Sequence, residues 1–355
     1  MTLKEIAAEA GVNPSTVSRV LSGDNRYKLT EDVRRRILAV AERRRYAPSG
    51  AGRALARRRS FKLGVILGNI ERDMGSPYFS MIFGAFCREA MRRNYQALML
   101  PVGDDDIDMG VLTNIRSGNA DAYLVGNSMI GSNTMRELER KPVPVVIYSA
   151  DTVIKPPRPR ACVVSLDVER GFREMFAAAR ARGFRSAALF CLDSWQGCGH
   201  RFRCYALAAE YGLNIAARLV VGGSPSDLRL RAAAAYATES RLAEFAAQEL
   251  IICQNDMMAL GLCDSMSRAG LEPGRDISVI GFDNIEDNAN FIPLEGEAML
   301  ATIDTGLEEV GRKMVAILLE KLDAKNYEPE DFAVATSFVA RRSFGHPHGT
   351  NKGDM

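Results

Sequence analysis

Histidine and tryptophan are scarce in this 355-residue chain, with three of the first and one of the second. His346 and His348 fall in a polar C-terminal run, which leaves His200 alone in the body, beside Arg201 and without a serine or aspartate at catalytic spacing. No P-loop, H-E-x-x-H or G-x-S-x-G motif occurs. The expectation is a chain that is not an enzyme, with no catalytic residue, no metal ligand set and no cofactor. No apolar run approaches the roughly 18 residues needed to cross a bilayer, and the N-terminus does not read as a signal peptide. A cytoplasmic (nucleoid-associated) location without membrane contact is expected. Seven cysteines lack paired C-x-x-C spacing, which excludes a zinc ribbon and a disulfide framework and leaves reduced, mostly buried thiols.

Charge is present, and it is unevenly placed. The net charge is +2, yet residues 1–60 carry about +8 and the rest about −6. The triplet Arg-Arg-Arg occurs at 34–36, 43–45 and 57–59. A small basic head on an acidic body is the pattern expected when one domain neutralises phosphates.

The head has its own local grammar. Thr2 and Glu5 have the spacing of a capping box, Ile6 and Ala10 share a face, and Gly11 supplies a sharp turn. Asn13 is positioned to cap a second helix that opens on Pro14, where a missing N–H is harmless. Val17, Val20 and Leu21 then form an inward stripe, with Pro14, Ser15, Ser18 and Arg19 outside. A third helix starts from Thr30 and runs to about Arg45, with Val33, Ile37, Val40 and Ala41 closing a small core. The spacing predicts a helix-turn-helix whose second helix presents small polar groups and an arginine to a DNA groove; an ordinary αα-hairpin is the alternative on these residues alone.

From Phe61 onward, apolar runs alternate with helical patterns. Strands are expected at 62–70, 97–102, 121–127, 143–149, 161–167, 186–192, 217–223, 250–255 and 277–283. Helices are expected at about 79–94, 110–117, 171–182, 201–211, 229–249 and 257–269. Such alternation predicts βαβ units with parallel sheets, here two successive series that form two lobes. The proline-rich 154–161 reads as a crossover between them.

The runs GVNPSTVSRVLSG, PSGAGRALARRRSFKLGVI, NDMMALG (255–261) and ISVIGFDNIE (277–286) resemble, in order and spacing, the lac repressor family of bacterial transcription regulators. The likeness covers nearly the whole chain. It implies an α/β protein: a three-helix helix-turn-helix headpiece (1–47), a hinge helix or linker (48–60) and a two-lobed periplasmic-binding-protein-like core of parallel sheets flanked by helices (61–341). Lobe 1 is expected at about 61–159 and 292–324, lobe 2 at about 160–291 and 325–341, and a flexible tail at 342–355.

By resemblance, the base-reading positions fall on Pro14, Ser15 and Arg19. Arg19 suits a bidentate contact to guanine, while Pro14 has an equally good structural role at the start of its helix. Thr16 and Ser18 are read as phosphate contacts with Asn13 at the helix N-terminus, Thr2 joins the DNA-binding set, and Leu55 matches a leucine that wedges into the minor groove. Gly52 stands where the family usually has alanine, which weakens an already short hinge helix by about 1 kcal/mol of propensity.

The same resemblance puts an effector between the lobes. Ser76, Tyr78 and Phe79 follow the first strand; Arg201 matches an arginine that grips ligand hydroxyls; Asp283 matches an acid that accepts from them. Asn255 also ends a strand near the crevice, where ligands bind in open α/β sheets. Trp195 precedes Arg201 and is placed to stack on a ligand ring, with a core or surface tryptophan as the rival reading. Several positions depart from the family. Ser149 stands where sugar-responsive members often have aspartate, Cys191 and Cys204 replace usual glycines, and Gly306 replaces a common proline.

The expected function is sequence-specific regulation of transcription, as a repressor, with operator affinity controlled allosterically by a small polar metabolite such as a sugar or sugar derivative. The partners implied are double-stranded operator DNA with a pseudo-palindromic site, the effector and a second copy in a homodimer. The alternative is a sugar receptor of periplasmic-binding-protein type without a regulatory role.

Overall fold

The computed structural model describes residues 2–21, 29–46, 54, 57–67, 75–102, 109–126, 132–150, 160–193, 199–222, 229–286, 298–324 and 327–347, with backbone alone for 199–201. They fall into two compact units, Met1–Ser60 and Phe61–Met355.

The first unit contains α1 (Leu3–Ala10), α2 (Pro14–Leu21) and α3 (Glu31–Arg43). The capping box forms: Glu5 N–H donates to Thr2 Oγ1 at 3.4 Å and Thr2 N–H to Glu5 Oε2 at 2.9 Å. Gly11 ends α1 at φ 66°, a left-handed conformation open to glycine at little cost, and its N–H returns to the α1 carbonyls. Thr30 caps α3 through Val33 N–H. Ile6, Ala7, Ala10, Val17, Val20, Ile37, Val40 and Ala41 form one buried cluster, so the three helices enclose a core of their own. Glu9 bonds Arg43 and, at 2.9 Å, Arg44, pinning the end of α3 to α1.

The second unit holds two six-stranded sheets. The first has the order β11-β5-β4-β3-β1-β2, from β1 (Lys62–Leu67), β2 (Gln96–Pro101), β3 (Ala122–Gly126), β4 (Val145–Ser149), β5 (Cys162–Asp167) and β11 (Asp331–Ala335). The second has the order β12-β10-β9-β8-β6-β7, from β6 (Ser186–Leu192), β7 (Asn214–Val221), β8 (Leu250–Cys253), β9 (Ser278–Asp283), β10 (Ala301–Asp304) and β12 (Ser337–Val339). Every pairing is parallel except β10 with β12. Strands buried on both faces, such as β4 and β9, read as unbroken apolar runs because helices cover both sides. Those helices are α4 (Pro77–Arg92), α5 (Met109–Arg116), α6 (Asn133–Glu139), α7 (Val168–Ala181), α8 (Gly199–Cys204), α9 (Leu230–Ser240), α10 (Leu242–Ala246), α11 (Asp256–Arg268) and α12 (Leu307–Asp323).

The pairings correct the expected lobe limits. Residues 162–167 belong to the first sheet, because Cys162 pairs with Val146 of β4, and 331–335 join that sheet beside β5. Residues 301–304 belong to the second sheet, beside β9. The chain therefore crosses between lobes at Asp167–Val168, at Thr305–Gly306 and at Thr336. Each crossing leaves the C-terminal end of a parallel strand, so the C-terminal rims of the two sheets adjoin. Thr336 binds the crossings together: its hydroxyl accepts from Gly171 N–H at 3.0 Å and donates to Asp167 O at 2.7 Å.

Three further expectations are revised. The helix at 201–211 is a short α-helix followed by a 3-10 turn over Tyr205–Tyr211. The helix at 229–249 breaks at Arg241, whose guanidinium donates to Val220 O at 3.1 Å. The tail is not free from residue 342. Val279 N–H donates to Ser343 O at 2.7 Å, and Phe344 is buried, stacked on Phe184 with centroids 5.7 Å apart and covered by Arg182. Residues 348–355 lie outside the described residues.

Candidate functional site

In the first unit, Val17 and Val20 anchor α2, which leaves its other side turned outward. Asn13, Pro14, Ser15 and Ser18 are exposed, and Thr16 and Arg19 are half-buried. Asn13 O accepts from Thr16 N–H at 2.9 Å and Val17 N–H at 3.2 Å, so the helix starts where the sequence places it. With Pro14 lacking an N–H and Thr16 and Val17 donating to Asn13 O, the first turn leaves the Ser15 N–H at the positive end of the dipole, where an anion such as phosphate is favoured. Thr2 is committed to its cap, which fixes its hydroxyl in α1. The second arginine triplet is partly spent within the unit, since Arg43 and Arg44 hold the Glu9 carboxyl below its ordinary range. Leu55 lies outside the described residues.

In the second unit, two groups of candidates come together. Ser76 precedes α4, and Pro77 opens that helix. Tyr78 in its first turn is hydrogen-bonded through its hydroxyl to the hydroxyl of Tyr148 on β4. Tyr78 meets Phe79 edge-on at 5.2 Å, and Phe79 stacks on Phe83 at 5.9 Å. Ser149 follows Tyr148 and is buried at the end of β4. Ser76, Tyr78, Phe79 and Ser149 thus occupy one part of the first sheet's C-terminal rim.

At the rim of the second sheet, Asn255 follows β8 and Asp283 ends β9, two adjacent parallel strands with the register Ile252↔Ile280. Asn255 caps α11, its Oδ1 accepting from Met258 N–H at 3.0 Å, which leaves its Nδ2 as the donor end. Asp283 is buried and adopts φ 117°, followed by Asn284 at φ 61°. Two consecutive positive φ values in non-glycine residues bend the chain sharply at the end of β9, and strain of this kind collects at ligand clamps. Buried Asp256 holds the bend beneath: it accepts from Thr302 Oγ1 at 2.7 Å and from Ile285 N–H at 2.9 Å. Burial, reinforced by nearby Glu286, pushes the Asp256 carboxyl up to about 6, against the opposing effect of those two donors. Arg201 lies on α8, but its side chain and the whole of Trp195 lie outside the described residues.

Sequence reasoning passed over three residues of these two rims. Tyr148 and Asp256 sit inside apolar or motif runs that were read as strand and helix. Gln254 was read as strand; it is fully buried, its Oε1 accepting from Leu192 N–H at 2.9 Å. An amide or carboxylate at the polar end of an apolar run was the available signal. Among the described residues, no helix is long and apolar enough to cross a membrane, and no group of three or more acidic, cysteine or histidine side chains is placed to hold a metal.

A helix-turn-helix unit in one chain with a two-sheet core whose strand ends adjoin defines a class: DNA-binding regulators with a ligand-binding body. Comparison with known proteins agrees. The family profile "Bacterial regulatory proteins, lacI family" matches residues 2–49, and "Periplasmic binding protein-like domain" matches 176–344. These matches support a lacI-family, DNA-binding transcriptional regulator. Among curated relatives, the HTH-type transcriptional repressor PurR of Aliivibrio fischeri (strain MJ11) is 27% identical over 96% of this chain and 98% of its own length. PurR of Yersinia pestis bv. Antiqua (strain Antiqua) is 25% identical, covering 96% of both. Among solved structures, the lac repressor dimer bound to operator and the anti-inducer ONPF aligns with TM-score 0.68 at 21% identity, over 97% of this chain and 98% of that one. The regulator CelR in complex with cellobiose aligns at TM-score 0.62 and 19% identity, over 97% and 99%. A family member from Enterococcus faecium with bound ribose aligns at TM-score 0.62 and 18% identity, over 80% and 98%.

Proposed function

We propose that this protein is a homodimeric, cytoplasmic repressor whose hold on operator DNA is set by a small hydroxylated metabolite. The observation that carries the reading is the joint presence of an outward-facing α2 N-terminus and a strained, buried acid at the adjoining strand ends of the core. On DNA, Arg19 pairs with guanine O6 and N7, Pro14 and Ser15 touch neighbouring base edges, and Asn13, Thr16 and Ser18 meet phosphates. Thr2 supports α1 at the edge of that surface, and Leu55 wedges into the minor groove where two hinges meet at the operator centre. One headpiece reads too few base pairs to be specific in a genome, so two copies act on a pseudo-palindrome.

In the core, Asp283 accepts from ligand hydroxyls, while Asn255 and Arg201 donate to their lone pairs. Ser76, Ser149 and Tyr78 supply further hydroxyls, and Phe79 and Trp195 supply flat apolar faces. The structural neighbours that hold cellobiose and ribose support a hydroxylated ligand. The curated relatives are repressors, which supports that direction of control. A receptor without a regulatory role would leave the headpiece unexplained.

Two substitutions separate the parts. Arg19→Ala should relax base preference at one operator position, by about 1–3 kcal/mol of discrimination, with effector binding intact. Arg201→Ala should leave DNA affinity intact and abolish the effector response. Fluorescence anisotropy on operator duplexes with and without ligand reads both; the swapped outcome would refute the assignment.

A further inference from the structure

Gln254 continues a hydrogen-bond ladder that its own backbone has left. Its N–H donates to Phe190 O at 2.8 Å, in register with β6, before the chain turns into α11. The next ladder donor of β6, Leu192 N–H, is then met by the Gln254 side-chain oxygen at 2.9 Å. That bond fixes the orientation of the amide, because a reversed amide would set N–H against N–H. The other arm, Nε2, is thereby held at the C-terminal rim between β6 and β8. It is buried and, among the described residues, has no hydrogen-bond partner. Almost all buried polar groups in folded proteins are paired, so this amide donor calls for a partner beyond the described residues.

The rim around this donor is where the effector is placed. Asn255, the next residue, has spent its oxygen on the α11 cap and offers Nδ2. Asp283, at the end of the adjacent strand β9, carries a carboxylate. We propose that Gln254 is a further effector-binding and specificity-determining residue, donating from Nε2 to a lone pair on a neutral hydroxylated ligand. The rim then reads donor, donor, acceptor across Gln254, Asn255 and Asp283. It selects a ligand that turns oxygen lone pairs toward β6 and β8 and a hydroxyl proton toward β9. A ligand that lacks an acceptor at the first position leaves the amide unpaired and is rejected.

This inference rests on the effector-sensing function proposed above, and one experiment separates the two. The full chain is titrated with D-ribose, cellobiose and adenosine, by thermal shift and then calorimetry, as wild type, Gln254→Met and Gln254→Glu. The Met variant removes both arms of the amide. The Glu variant keeps an acceptor for Leu192 N–H and removes the donor, so it serves if Met fails to fold. Cooperative melts of the ligand-free variants establish folding. The expected result is that at least one probe stabilises wild type and binds both variants about tenfold more weakly or worse. Binding to wild type with equal affinity for the variants overturns the role of Gln254 and leaves the sensor intact. If none of the three probes shifts wild type, the hydroxylated-ligand reading fails and this inference fails with it.

Discussion

Asp256 shows how much a single buried group can govern here. Its carboxyl supports the bend that carries Asp283, yet it lies wholly out of water, and burial lifts its proton affinity to about 6 from an unfolded value near 3.8. The folded state therefore holds this proton more tightly than the unfolded chain does. The stabilising contribution is complete below about pH 4 and is lost as pH rises through 6. At 1.36 kcal/mol per unit, the loss is about 3 kcal/mol. Urea unfolding at pH 4.5 and pH 7.5 should show about 2 kcal/mol of this fall in the wild type, the rest lying below pH 4.5, and Asp256→Asn, which cannot ionise, should show a slope flatter by that amount. An Asn variant with the wild-type pH dependence would remove Asp256 from the account. In the sequence, Asp256 was visible only as part of a family motif. Nothing in NDMMALG says that its side chain turns inward, because that depends on Thr302 and Ile285, dozens of residues away.

At the scale of elements, local pattern was a good guide where neighbours in sequence decide the structure, and a poor one where distant strands do. The capping box at Thr2, the αL turn at Gly11 and the Thr30 cap are short-range devices, and all three are formed. Strand 162–167 looked like the start of a second series, but its choice of sheet is settled by β4 and β11, which no local signal reveals. The final residues looked polar and loose, yet Phe344 finds Phe184 and Phe338, and Ser343 bridges Val279 and Ala301. Gly306 is the sharpest case. It stands where the family commonly has proline, and it adopts φ 61° while its N–H donates to Asp304 Oδ1 at 2.8 Å. A proline ring forbids that φ and has no N–H. Gly306→Pro, the family-like residue, should therefore destabilise this chain by more than about 1 kcal/mol in urea unfolding. A neutral or stabilising result would mean that this crossing is built differently.

At the scale of the whole molecule, the split between a basic head and an acidic body gives the chain two jobs. The head carries about +8 over residues 1–60, enough for several phosphate contacts, although Arg43 and Arg44 spend part of their charge on Glu9. Affinity for DNA should fall steeply with salt, by about 0.9 in log–log slope per neutralised phosphate. The chemistry of the strand ends was only partly legible. Asp283 was proposed from its match to the family's acid and Asn255 from its place at a strand end, whereas the Tyr78–Tyr148 pair depends on two elements 70 residues apart. The central claim is sequence-specific reading of duplex DNA by paired headpieces. Its most direct measurement is selection of a random duplex library on the purified full chain at moderate salt, followed by sequencing of the bound fraction. The account predicts enrichment of one pseudo-palindrome whose half-sites are read by the α2 helices, lost on Arg19→Ala. A bound fraction with no enriched sequence, or with an asymmetric single site, would contradict it.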